Sequence, residues 1–149
     1  MRIGLDFSGV INRFPVELSA LTNYWINDCG HEVHIVSNSG WDYVKSQTER
    51  LGVLYTHNCP DVRGSQKTEA IPMLNDFADR EGSSWMHYRD LYLKEKGEYA
   101  KSAGLNIHFD DSIAYAKWFP ESCLFVHVRH DFTMFHQLVD QIPKVDRKT

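Results

Sequence analysis

The stretch that decides the fold is MRIGLDFSGVINRFPVELSALTNYWINDCGHEVHIVSNSG, residues 1–40. It opens with Met1 to Phe7, where Ile3 and Leu5 sit in a short β-prone run, and Gly9 ends the pattern in a loop. Pro15 suits the first turn of a helix. Val16, Leu18, Leu21, Trp25 and Ile26 then recur at helical spacing until Cys29-Gly30, which predicts a helix over 15–29. Glu32 to Ser37 reads as a second strand through Val33, Ile35 and Val36, and it ends on the polar run Ser37-Asn38-Ser39-Gly40. Further out, Trp41 to Leu51 is helical in pattern and Val53 to His57 is a short strand. The order β-α-β-α-β implies a parallel sheet with helices on both faces. The predicted class is therefore α/β, a Rossmann-like three-layer sandwich with a mostly parallel sheet.

Beyond this the pattern weakens. Pro60, Gly64 and Pro72 interrupt it and only Ile71 to Phe77 looks helical, so about 58–93 is predicted to be a small insertion near the site. A helix over Lys94 to Ala103, closed by Gly104, then leads to a strand from Leu105 to Phe109 that delivers Asp110-Asp111-Ser112. Ile113 to Trp118 suit another helix and Cys123 to Val128 a last strand. A helix around Thr133 to Ile142 and a charged tail from Lys144 to Thr149 complete the prediction.

Composition limits the functional classes. At 149 residues, 42% apolar and 24% charged, the chain buries roughly two-thirds of its unfolded surface and fits one domain over 1–149. Sixteen basic against 20 acidic residues give a net charge of −4, which offers no general affinity for nucleic acid. Cys29, Cys59 and Cys123 are odd in number and form no CxxC pair, so neither a disulfide framework nor a zinc ribbon is expected and a cytoplasmic setting fits. No apolar run approaches the roughly 20 residues of a membrane span, so no membrane partner is expected.

In an open parallel sheet, ligands bind outside the carboxyl ends of the strands. Asp6, Ser37 and Asp110-Asp111 all fall at such ends. Mg²⁺ prefers oxygen ligands and takes one or two carboxylates plus substrate phosphate and water, which suits three converging acids that otherwise repel one another. An unperturbed carboxylate, with a pKa of about 3.9, leaves Asp6 ionised at neutral pH and ready to act as a nucleophile. Lys94, Lys96 and Lys101 are candidates to hold a phosphate beside it. His31 with His34, and His127 with His130, lie in or beside strands, where a three-residue offset points side chains to opposite faces and disfavours a shared ion. Trp25, Trp85 and Trp118 read as packing residues, and Trp41 is placed to line a pocket.

RIGLDFSGVIN, IVSNSG, the lysine of LKEKGEYAK and IHFDDS together resemble the four ordered motifs of the haloacid-dehalogenase-like (HAD) phosphohydrolase superfamily, in a small form without a large cap. The resemblance spans Asp6 to Ser112 and implies a HAD-like fold and a magnesium-dependent phosphatase acting through an aspartyl phosphate. It implies that Asp6 is nucleophile and metal ligand, that Ser37 and Asn38 bind phosphate, and that Asp110 and Asp111 bind Mg²⁺. It further implies that Lys96 matches the family lysine, with Lys94 in reserve, and that the carbonyl of Ser8 is a further metal ligand. The implied partner is a nucleotide, another phosphomonoester or a phosphorylated macromolecule end. One residue departs from the pattern: Ser8 stands where most family phosphatases carry an acid/base Asp. A slow phosphatase, a phosphotransferase and an inactive phosphate- or protein-binding module all remain compatible with the chain. Receiver domains have their acid pair and lysine in a different order, and a single Gly9 after the first strand fits neither dinucleotide nor P-loop binding.

Overall fold

The computed structural model describes residues 1–38, 40–59 and 83–129, with the backbone alone over 83–92. Five parallel strands form one sheet: β1 (Arg2–Leu5), β2 (Glu32–Ile35), β3 (His57–Asn58), β4 (Ile107–Asp110) and β5 (Leu124–His127). Their order is β3-β2-β1-β4-β5. The chain winds outward from β1 to one edge and then crosses back to start β4 on the other side of β1. The strand order reverses between β1 and β4, and this is where an open α/β sheet leaves a crevice for ligands. The result is a Rossmann-like α/β sheet.

Helix α1 (Pro15–Asn23) starts on its proline and runs on without a break into a wider turn, Tyr24–Asp28, that closes when the Cys29 amide donates to the Tyr24 carbonyl at 3.1 Å. Gly30, at φ 71°, then takes the left-handed conformation that releases the chain toward β2. Helix α2 (Trp41–Arg50) follows the second loop as expected. Trp41 packs edge-on against Tyr55, ring centroids 5.6 Å apart, at the margin of the main core.

Three expectations need correction. The third strand is His57–Asn58 and not Val53 to His57. Val53 and Leu54 satisfy their amides away from the sheet, Val53 on Thr48 O and Leu54 on Thr22 Oγ1, and Thr56 then donates to Val33 O of β2 just before the strand begins. The helix expected from Lys94 begins at Ser83, so α3 is Ser83–Ala103. Nothing in SSWMHYRDLY breaks a helix, since it holds neither proline nor glycine. The segment Ile113–Trp118 is a 3-10 helix, not an α-helix, and it ends at an extended Phe119, the conformation favoured before Pro120. The expected helices around Ile71 to Phe77 and Thr133 to Ile142, the tail after Lys144, Trp85 and His130 lie outside what is described.

Alternation along the strands gives the sheet two unlike faces. Ile3, Leu5, Val33, Ile35, Ile107, Phe109 and Val126 form one, and they pack with Leu18, Trp25 and Val44 from α1, its continuation and α2 into the main core. Trp25 stacks on Phe109 at 6.2 Å. Gly4, His34 and His108 point the other way, toward α3, where Tyr99, Ala100 and Leu105 form a smaller cluster with Val36, Cys59 and Cys123. The three cysteines are free and buried. None of the described helices is long and apolar enough to cross a membrane.

Candidate active site

Asp6 and Asp110 stand at the carboxyl ends of β1 and β4, the two strands that flank the reversal of strand order. The Asp6 amide extends the β1 ladder by donating to Phe109 O at 3.0 Å. The next residues leave the sheet sharply: Ser8 (φ −70°, ψ 125°) and Gly9 (φ 76°, ψ −1°) have type II turn angles. Gly9 is required twice over. Its φ is positive, and a Cβ there would overlap the Asp111 carboxylate. The tight turn thus brings Asp111 back against the loop after β1. One carboxylate oxygen from each of Asp6, Asp110 and Asp111 lies within 4.8 Å of the others.

Lys96 joins the two buried acids. Residues Leu93, Lys96, Tyr99, Ala100 and Ala103 recur at helical spacing on α3, a stripe that faces the sheet, and Lys96 is its one charged member. Its ammonium donates to Asp110 Oδ2 at 2.8 Å and pairs with Asp6 Oδ1 at 3.1 Å, with the side chain only 2% exposed. Close approach of α3 to the 3-10 helix at Gly97, where any side chain would meet the Trp118 backbone, also sets Lys96 Nζ 4.0 Å from the centre of the Tyr115 ring. Tyr115 is held in turn by Asn38, whose Nδ2 donates to its hydroxyl at 2.8 Å. Asn38 therefore reaches the site through Tyr115. Ser37 follows β2 and is half-buried, and Ser8 is exposed at the turn. Lys94 is exposed and pairs with Glu98 on its own helix.

The oxygens of the acids are unequally committed. Asp110 accepts from Lys96 and His108 through Oδ2 and from the Ser112 amide through Oδ1. Asp6 accepts from the Phe7 amide and pairs with Lys96 through Oδ1. Its Oδ2 has no partner among the described residues. Burial also separates their acidities. At Asp110 the cost of burial is outweighed by His108 and Lys96, so its pKa falls to about 2. At Asp6 burial dominates and the Asp110 and Asp111 charges add to it, overcoming Lys96 and raising the pKa to about 8. The expectation of an ordinary ionised carboxylate at Asp6 is thus corrected: burial and two neighbouring acids oppose its charge. Burial also works against the Lys96 ammonium, and the carboxylates of Asp6 and Asp110 more than offset it, so its pKa rises.

His108 is the member that sequence reasoning missed. It is fully buried, stacks on Phe119 at 4.7 Å and fits only because Gly4 has no side chain, since a Cβ there would meet its Nδ1. Burial lowers its pKa, and the neutral ring donates from Nε2 to Asp110 at 3.0 Å. Its signal was the i, i+2 spacing to Asp110 on one strand, which puts both on the same face. Two further histidines are engaged structurally: His31 Nδ1 lies 3.2 Å from the amino terminus and His127 Nε2 donates to Asp111 O at 3.0 Å.

Comparison with protein-family models, with curated proteins and with solved structures finds no match, so a function has to be argued from this geometry.

Proposed function

We propose that the protein is a magnesium-dependent HAD-like phosphohydrolase with Asp6 as nucleophile. The observation that carries this reading is the uncommitted Asp6 Oδ2 beside a buried lysine and two further carboxylates at the crevice between β1 and β4. The donor set fits Mg²⁺: all oxygen, with three potential negative charges against one ammonium. A bound cation would favour the charged form of Asp6 and offset the charge of a transferring phosphoryl group.

The chain's own residues then divide the work. Asp6 Oδ2 attacks phosphorus, forming an aspartyl phosphate as the bond to the leaving oxygen breaks. Lys96 stays charged between Asp6 and Asp110 and holds the phosphoryl oxygens by charge. Asp110 and Asp111 would supply oxygens to the metal, and His108 fixes the Asp110 carboxylate from behind. Ser37 is the candidate phosphate hydroxyl. The leaving alkoxide takes its proton from water, because the Ser8 side chain is not an acid at neutral pH. That lack costs about 10²–10⁴-fold in rate. The short chain between Asp6 and Ser37 leaves no room there for a large cap, which favours a nucleotide, another phosphomonoester or a phosphorylated macromolecule end as substrate. The test is phosphate release from p-nitrophenyl phosphate with Mg²⁺. Wild type is expected to be slow and Asp6→Asn inert; equal rates in the two proteins rule the mechanism out.

Ser8 favours a second reading, a phosphate- or protein-binding module of the same build that does not turn over. Ser8→Asp separates the two. A rise in phosphatase activity of about 10²-fold or more supports a competent site limited by its missing acid. An unchanged, inert variant that still binds inorganic phosphate supports the binding module.

A further inference from the structure

A second group of metal-ligating side chains lies on the same face of the sheet but at its β3 edge. Glu32 and His34 are two residues apart on β2, and His57 is the direct partner of His34 on β3, so all three project to one side. One ligand atom from each falls within 4.8 Å of the others. Glu32 Oε2 lies 3.1 Å from His34 Nε2, and the two imidazoles stack with centroids 4.4 Å apart.

The hydroxyls behind the rings can each accept from Nδ1, which turns Nε2 toward an ion. When Tyr99 donates its hydroxyl proton to Asn58 O at 3.2 Å, it accepts from His34 Nδ1 at 2.8 Å. Thr56 donates its proton to Val33 O at 3.1 Å and accepts from the Val33 amide at 2.9 Å, so at 2.8 Å it accepts from His57 Nδ1. Neither hydroxyl has a second proton to give. In this tautomer both neutral rings carry a lone pair on Nε2; in the other tautomer of His34 its Nε2 donates to Glu32 at 3.1 Å, and a bound cation takes the place of that proton. This is the outer arrangement found around metal-bound histidines, whose second nitrogen donates to a fixed acceptor.

We propose that Glu32, His34 and His57 bind a borderline divalent transition cation, with Zn²⁺ as the representative, through two imidazoles and one carboxylate. Such a set suits zinc and its neighbours and leaves a fourth position open. Mg²⁺, which favours oxygen, belongs to the other site. Parallel rings do not aim at one point, so His57 tilts on binding, for which its exposed position on β3 leaves room. Arg2, whose Nε lies 3.1 Å from the same Glu32 oxygen, is the competing cation and gives way or moves to the other oxygen. Ion binding ties β3 to β2 by side chains where the ladder itself is short.

The experiment is calorimetric titration of Zn²⁺ into the full chain, with excess Mg²⁺ to occupy the three aspartates and a phosphine reductant to keep the cysteines reduced. Wild type is expected to take one tight equivalent that raises its melting temperature. His57→Ala removes an exposed side chain, so it should melt like wild type without zinc and lose that equivalent. Tyr99→Phe, acting on His34 as a positioning residue, should weaken binding about 10–100-fold. Two outcomes overturn the proposal: no tight zinc in wild type, which leaves Glu32 and His34 as a hydrogen-bonded pair only, or equal binding by wild type and His57→Ala.

Discussion

The two faces of the sheet are built from the same strands and do opposite things. Under α1 and α2 every inward strand residue of β1, β2 and β4 is aliphatic or aromatic: Ile3, Leu5, Val33, Ile35, Ile107 and Phe109. Under α3 the same strands present Gly4, Glu32, His34, His108 and Asp110. A parallel sheet covered on both sides usually reads as unbroken apolar runs, yet EVHI and IHFD alternate. The apolar face is stabilised by area removed from water, which is forgiving of detail. The polar face is stabilised only while each group keeps its partner, because a buried charge or donor left alone costs several kcal/mol. Apolar burial and paired polar groups are thus divided between the faces, and each can be broken separately.

The largest effects should come from one residue on each side. Trp25→Ala empties the centre of the apolar face and is expected to cost about 3–5 kcal/mol in urea unfolding, with or without Mg²⁺. Lys96→Met leaves the buried acids without their ammonium and is expected to cost a similar 3–5 kcal/mol, but Mg²⁺ should recover part of the loss. An equal response of both variants to Mg²⁺ would erase the distinction between the faces.

A smaller effect is a pH dependence of stability that belongs to the polar face alone. Asp6, raised from 3.8 to about 8 by burial, holds its proton longer in the folded chain than in the unfolded one. Without Mg²⁺, stability should therefore fall as pH rises through that window, and Asp6→Asn should flatten the slope. Asp110, lowered to about 2, acts in reverse: its contribution is present above 3.8 and is lost as pH falls toward 2. Melting temperature followed from pH 4 to 8 checks the first sign, and an increase with pH that Asp6→Asn leaves unaltered would contradict it.

Weaker still is Tyr115→Phe, which keeps the ring over Lys96 but loses the hydroxyl that accepts from Asn38, for about 1 kcal/mol in chemical denaturation. The smallest is Lys94→Ala. Its ammonium lies in solvent beside Glu98, so neither stability nor phosphate release should change measurably. Loss of activity there with Lys96→Met still active would reverse the assignment of the site lysine.

Much of the first site was legible because strand ends are legible. A short apolar run that stops at an acid, as at Leu5-Asp6 and Phe109-Asp110, places that acid at the sheet's carboxyl edge whatever the rest of the chain does. The raised pKa of Asp6 was not legible, since it depends on burial and on how close Asp110 and Asp111 come. His108 was missed because a lone histidine in a strand gives no sign of what packs on it. The histidine pairs were read along the chain, where a three-residue offset argues against a shared ion. That argument holds for His31 and His34, but it does not see across strands, and His57 was left out.

The sequence by itself determined the α/β alternation, the polar loops after the first two strands and the place of Asp6, Asp110 and Asp111 at strand ends, because period and punctuation are local properties of a chain. Tertiary structure alone decided the order β3-β2-β1-β4-β5, which puts Asp6 beside Asp110 and His57 beside His34. It also buried Lys96 and left Lys94 in solvent, since only the turn of α3 against the sheet distinguishes a buried ammonium from a solvated one two residues away. Pairing and burial bring together residues far apart in the chain, and no local pattern encodes that distance.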